Sequence, residues 1–303
     1  MRLVVVGSLG MLGQDLVAHL QRQGFEVIGL DRSGVEPWRV DITQPEDLRA
    51  AVGRAQPQMV INCAAYTAVD KAESEPEQAM AVNRDGAASL AKLCNALAVP
   101  LVHISTDYVF SGESRRPYAE DDPAEPINVY GLSKWQGEEA IRRHCPRHLI
   151  VRISWLFGVH GANFVKTILR LAAEREELRV VADQHGCPTC TMDLAAALAA
   201  IAARIQASPA ATPWGTYHFT NQGATTWYDF ARAILDEGRR YQELRTTRVI
   251  PITTAEYPTP ARRPQWSVLS CEKIGRVFQI SPPSWRPGLA AVVAALAAGE
   301  DAG

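Results

Sequence analysis

An α/β fold, a doubly wound parallel sheet with a smaller α/β lobe attached, is predicted by three features of the chain. Apolar strand-like runs alternate with helical runs through the first half. A glycine-rich turn follows the first of these runs directly, and the residues able to do chemistry fall just past the ends of the strands. Alternation of this kind means a parallel sheet with helices on both faces, and such sheets bind ligands beyond the carboxyl ends of their strands.

The first element, Met1 to Val6, reads as a buried strand and runs into Gly7-Ser-Leu-Gly10-Met11-Leu12-Gly13 and a helix over Gln14 to Gln23. This is a phosphate-binding turn of Rossmann-like type. Gly7 permits the tight turn, Gly10 lets backbone approach a diphosphate, and Gly13 allows close helix-strand packing, with the helix N-terminus facing the anion. A second strand, Glu26 to Leu30, ends at Asp31, where an acidic side chain would meet the hydroxyls of an adenosine ribose. Asp31 favours NAD(H), whereas Arg32 could pair with a 2′-phosphate, so NADPH and NADH both stay open. Met11, Leu12, Asp41, Ile42, Ala64, Ala65 and Tyr66 complete the expected cofactor-binding set.

Further strands are expected at Met59 to Asn62, Leu101 to Ile104 and Leu149 to Ile153, with helices over Glu77 to Leu97 and Lys134 to Arg143 between them. Ala64-Ala-Tyr-Thr67, Ser105-Thr106 and Ser154-Trp155 then stand at strand ends beside Gly7 and Asp31. His103, inside an apolar strand, reads as a satisfied core residue. After Trp155 prolines and aromatics become frequent, which suggests a loop-rich substrate lobe. The nucleotide-binding domain is therefore expected over 1–154 and the substrate lobe over 155–190 and 213–303. The apolar helix from Met192 to Ile205 is expected to pack, with the rest of 191–212, back onto the sheet.

A chain of 303 residues with a formal charge of −2 can bury a large core and projects no strong field. Nucleic acid is not an expected partner, because no basic run or Arg/aromatic-rich segment occurs and Arg115-Arg116 and Arg262-Arg263 sit beside prolines. A membrane is not expected either. The apolar N-terminus is short and broken by glycines, and the Ala-rich stretches near Leu194 and Leu289 fall below the ~20 residues of a span. A cytoplasmic enzyme is the expectation. Its six cysteines show no disulfide framework, and Cys187-Pro-Thr-Cys190 lacks a second pair at zinc spacing, so reduced thiols and no metal are expected.

Tyr130-Gly-Leu-Ser-Lys134 follows a Ser105-Thr106-Asp107 triplet, and together they hold the parts of a carbonyl-reducing site. Tyrosine has a reference pKa of about 10. A lysine four positions later on a helix shares its face, and its ammonium is expected to lower that value until the phenol passes a proton near neutrality. A neighbouring Ser or Thr hydroxyl can hydrogen-bond the substrate oxygen and hold it where charge develops.

The GxxGxxG spacing together with Tyr-xxx-Lys is similar to the extended short-chain dehydrogenase/reductases. Longer segments narrow the likeness: Ala64 through Pro76, Ser105-Thr-Asp-Tyr-Val-Phe110, Asn128-Val-Tyr-Gly131, Asp183-Gln184, Thr226-Trp-Tyr-Asp229 and Tyr257-Pro-Thr-Pro-Ala-Arg-Arg-Pro264. Over nearly its whole length the chain resembles the dTDP-4-dehydrorhamnose reductase family. The resemblance implies reduction of the 4-keto group of dTDP-4-dehydro-β-L-rhamnose by NADPH or NADH. It implies Tyr130 as proton donor, Lys134 as the residue that tunes Tyr130 and holds the nicotinamide ribose, and Thr106 on the carbonyl. It also implies sugar contacts from Asp107 and Trp155, and a diphosphate contact from Arg262 and Arg263.

Two rivals remain, another nucleotide-sugar enzyme and a non-catalytic subunit similar to the regulatory subunit of methionine adenosyltransferase. Sugar dehydratases carry Glu after the Thr-Asp pair, where this chain has Tyr108, and a regulatory subunit would have lost the Thr106, Tyr130 and Lys134 set. Some family members dimerise around Mg²⁺. Here Asp15 could replace one of their acids, but Cys190-Thr-Met192 and the helix over Leu289 to Ala298 carry none, so a monomer or a metal-free homodimer is expected.

Overall fold

Alternate residues of the first strand go to opposite sides of the molecule, and that alternation organises the computed structural model, which describes residues 1–299. In β1 (Arg2–Val6), Leu3 and Val5 join one apolar cluster while Val4 and Val6 join another. Met59 and Ile61 against Val60 of β3 divide in the same way, as do Leu149 and Val151 against Ile150 of β5. Both faces of the sheet are thus covered, which is why its strands are continuous apolar runs.

In chain order the Rossmann-like half comprises β1, α1 (Met11–Arg22), β2 (Glu26–Leu30), α2 (Pro45–Ala55), β3 (Met59–Asn62), α3 (Val69–Ala72), α4 (Pro76–Met80), α5 (Ala87–Ala96), β4 (Leu101–Thr106), α6 (Val129–His144) and β5 (His148–Ile153). There follow β6 (Leu156–Phe157), α7 (Phe164–Glu174), β7 (Glu177–Val181), β8 (His185–Gly186), β9 (Thr189–Cys190) and α8 (Thr191–Ala207). The chain closes with β10 (Gly215–His218), β11 (Thr225–Thr226), α9 (Trp227–Gly238), β12 (Arg248–Ile252), α10 (Glu272–Phe278) and α11 (Trp285–Ala297).

Six parallel strands make the main sheet in the order β10-β5-β4-β3-β1-β2. The chain moves outward from β1 to β2 and then returns to place β3 on the other side of β1. That reversal opens a crevice at the carboxyl ends of β1 and β3.

Three expectations about the elements need correction. The sixth strand, β10, comes from the segment 213–303 expected in the substrate lobe but joins the main sheet beside β5, where Tyr217 and Phe219 complete the apolar layer; positions 300–303 of that segment lie outside the described residues. The helix expected over Glu77 to Leu97 is interrupted by a π-helical turn at Ala81–Gly86 between α4 and α5. Finally, α6 starts at Val129 rather than Lys134, because the Asn128 side chain caps it by accepting from Gly131 N at 2.7 Å.

On one face α8 packs along α1, with Leu194, Leu198, Ile201 and Ile205 in the same cluster as Leu16 and Leu20. The smaller lobe has its own core of Phe157, Ile168, Phe230, Ile234, Trp285 and Val292, covered by α7, α9 and α11 and by three two-stranded sheets. All six cysteines are free. Among the described residues no helix is long and apolar enough to cross a membrane, and no group of three or more His, Cys, Asp or Glu side chains is placed to hold a metal ion.

Candidate active site

A groove of about 660 Å³ lies over the β1/β3 crevice, lined by Gly7, Gly10, Asp31, Arg32, Asp41, Ile42, Ala64, Ala65 and Tyr66 among others. The glycines are there for steric reasons. Gly7 has φ +80°, and a Cβ on it would lie 2.6 Å from Ala64 N, while a Cβ on Gly13 would collide with the Gly7 carbonyl oxygen. Gly10 caps α1 without any side-chain hydrogen bond, so the first amides of the helix are offered to the groove. The Met11 and Leu12 side chains do not line it. Leu12 is a core residue, and what this turn presents is backbone.

Asp31 braces the glycine turn. Its carboxylate accepts from Leu9 N at 3.1 Å and from Ser33 N at 2.9 Å, while the Arg32 side chain beside it is exposed. Asp41 accepts from both N and Oγ1 of Thr43, which fixes the groove's outer wall.

At the end of β4, Thr106 caps a short 3₁₀ turn and donates to Asp107 Oδ1 at 3.0 Å. Asp107 is buried. Its Oδ2 has no well-formed hydrogen bond, and burial pushes the carboxyl up to about 7, opposed only in part by the Ser267 and Thr106 hydroxyls. Tyr130 lies in the first turn of α6 with its ring edge-to-face against Tyr108 at 5.5 Å. Burial pushes its phenol up to about 12, and the Thr106 hydroxyl opposes this through a hydrogen bond.

Lys134 does not lower Tyr130 in this arrangement, contrary to expectation. Its Nζ turns to β4, where it donates to Ile104 O at 2.6 Å and lies 3.3 Å from His103 Nε2. Burial brings the ammonium down to about 8, against the pull of Glu138 and Cys63.

The two arginines of the Tyr257 to Pro264 loop behave differently. Arg262 is exposed and offers only its carbonyl, to Asn128 Nδ2. Arg263 is not a free phosphate fork, since both its terminal nitrogens are committed to Asp70. Trp155 stacks on Trp227 at 3.6 Å between ring centres, takes φ +48° and lies against Gly186, where a Cβ would fall 2.5 Å from the indole.

Several residues that shape the site carry no local sequence signal. Asn83, in the π-helical turn, accepts from Tyr66 N and donates to Tyr66 O and Ser133 Oγ, and Ser133 in turn donates to Tyr130 O. One amide thus ties the groove wall to α6, a use of π-helical geometry that recurs at functional sites. Behind Lys134, the fully buried Glu138 receives Arg152, Arg142 and the Ser105 hydroxyl. Burial alone would raise its carboxyl, but these partners outweigh burial and hold it below the ordinary range.

A family model described as the RmlD substrate binding domain matches residues 1–298. A relative named dTDP-4-dehydrorhamnose reductase, from Sinorhizobium fredii, is 43% identical over 305 residues and spans 100% of both chains. The crystal structure of a dTDP-4-dehydrorhamnose reductase from Clostridium acetobutylicum superposes with a TM-score of 0.88 at 35% identity, covering 98% of this chain and 99% of that one. That of the Bacillus anthracis enzyme, solved in complex with NADP, gives 0.86 at 35% identity over 96% and 98%.

Proposed function

The chain belongs to the RmlD substrate binding domain family, and from that membership we propose that it is a dTDP-4-dehydrorhamnose reductase. It is an oxidoreductase that reduces the 4-keto group of dTDP-4-dehydro-β-L-rhamnose to dTDP-β-L-rhamnose with NADPH or NADH. The observation that carries this reading is full-length identity to relatives of that name, in a chain that keeps Thr106, Tyr130 and Lys134 beside the glycine groove. The same retained set speaks against a regulatory subunit.

The groove suits a dinucleotide. A Cβ on Gly7 would strike the Cys63–Ala64 backbone at its wall and one on Gly13 would break the turn that carries it, and the N-terminus of α1 stands where a diphosphate's charge would lie. In our reading Gly7, Gly10 and the first amides of α1 hold the diphosphate, Asp31 or Arg32 takes the adenosine ribose, and Asp41, Ile42, Ala64, Ala65 and Tyr66 form the walls. When bound, the reduced nicotinamide supplies a hydride.

Tyr130 is the proton donor to the C4 oxygen. With its pKa at about 12 the phenol is fully protonated at neutral pH and so carries the proton that the C4 oxygen takes up. Thr106 orients the carbonyl. The unmatched Oδ2 of Asp107 is assigned to a sugar hydroxyl, and Trp155 with Trp227 to an apolar wall. Of the two arginines assigned to the diphosphate, only Arg262 has a free guanidinium. The enzyme is placed in the cytoplasm as a monomer or a metal-free homodimer.

The test is loss of reduced-nicotinamide absorbance with dTDP-4-dehydrorhamnose made in situ, alongside dTDP-4-keto-6-deoxyglucose. Oxidation only with the rhamnose-configured ketone is expected. Cofactor binding without oxidation would reject the reading.

A further inference from the structure

We propose that His103 and Asn62 are positioning residues for Lys134, turning an imidazole N–H toward its Nζ so that the ammonium gives up its proton more readily and the amine then accepts a hydrogen bond from the imidazole. The argument is an accounting of donors. Ala64 N donates to Asn62 Oδ1 at 3.0 Å, which fixes the amide's orientation and leaves its NH₂ facing His103 Nδ1, also at 3.0 Å. An amide NH₂ can only donate, so Nδ1 must accept, and a neutral imidazole then carries its proton on Nε2. Burial holds the imidazole neutral, and Lys134 pushes in the same direction. The Nε2 proton therefore points at Lys134 Nζ, 3.3 Å away. An ammonium there would set donor against donor. A neutral amine accepts from Nε2 and still donates to Ile104 O.

The other groups around Nζ do not reverse this preference. From the end of β3, Cys63 presents a thiol that burial pushes up to about 12, so it stays uncharged. From α6 itself, Glu138 pulls towards the ammonium, but its two oxygens are already engaged by Arg152, Arg142 and Ser105. The chain from Ala64 N through Asn62 and His103 to Lys134 also begins on the groove wall. The state of the lysine is thereby coupled to the seat of the dinucleotide.

The test is a titration of the free protein by NMR with ¹³Cε-labelled lysine, the Lys134 signal being assigned by its absence in Lys134→Met. In the unmodified protein Lys134 is expected to titrate near 8. His103→Leu removes the opposing donor and should raise the midpoint by about one pH unit, the equivalent of one hydrogen bond. His103→Gln, whose amide can donate from nearly the same place, should restore it. An unmoved midpoint in His103→Leu overturns the proposal, and so does an imidazole in the unmodified protein whose ¹⁵N shifts put the proton on Nδ1. This second measurement needs no variant to fold. In kinetics, which alone rest on the reductase reading, the kcat-pH limb set by Lys134 should move with the NMR midpoint, whereas a merely structural His103 would lower kcat and leave the limb in place.

Discussion

Arg263 grips Asp70 with both ends of its guanidinium, Nη1 at 3.0 Å from Oδ1 and Nη2 at 2.8 Å from Oδ2. The clasp joins the loop from Tyr257 to Pro264 to α3, and Asp70 Oδ1 also accepts from Ala261 N. Arg263 holds the Asp70 carboxyl below its ordinary range. The contact fastens a loop from near the end of the chain to α3 of the Rossmann-like half.

Asp70→Asn should loosen that loop. The pair is partly exposed, so global stability is expected to change by no more than about 1 kcal/mol, while KM for the nucleotide sugar rises about tenfold and the Kd for NADPH stays the same. Thermal melting, steady-state kinetics and cofactor fluorescence separate these effects. A shift in cofactor affinity as large as the shift in KM would mean that the clasp organises the groove instead.

Tyr130→Phe removes the proposed proton donor and little else. Turnover should fall about 10² to 10⁴-fold, as for a general acid, with NADPH binding retained. Activity close to normal would remove Tyr130 from its assigned role.

Asp107 gives a pH signature in stability. Burial raises its folded-state pKa to about 7, well above the ordinary carboxyl range, so the folded protein holds the proton more tightly. That contribution is fully present below about pH 4 and is lost as pH rises through about 7. Asp107→Asn should therefore gain stability relative to the unmodified protein as pH goes from 5 to 8, by about 2 to 4 kcal/mol. Urea denaturation at the two pH values measures it, and equal differences at both would contradict a buried, protonated Asp107.

Arg152→Met isolates the buried charge behind the site. It leaves Glu138 with Arg142 and the Ser105 hydroxyl and should destabilise the fold by about 3 to 5 kcal/mol at pH 7. The Glu138 carboxyl is held below its ordinary value, so the stability it supplies is present above about pH 4.5 and is lost as pH falls through its folded value. The penalty of the variant should shrink accordingly in acid, which denaturation at pH 7 and pH 4 would detect.

The glycine turn, the apolar strands and the Tyr130-Lys134 spacing were readable in the amino-acid order because each rests on neighbours. A positive φ at Gly7, the room Gly13 leaves for Gly7 O, and two residues one helical turn apart are set within a few positions of backbone. Other features had to await packing. Nothing near Arg263 marks Asp70 as its partner, 193 positions away, so a guanidinium that suits phosphate is spent on a carboxylate. The π-helical turn at Asn83 breaks an otherwise helical run, and there the Asn83 amide meets Tyr66 and Ser133, which lie far from it in sequence. Lys134 shares a face with Tyr130 as the spacing requires, yet its Nζ meets Ile104 O and His103 Nε2 of strand β4, partners that no neighbour in sequence marks. Short-range sterics and periodicity are written residue by residue. Which buried polar group satisfies which is decided only when distant segments are brought together with water excluded, because there every donor must find an acceptor.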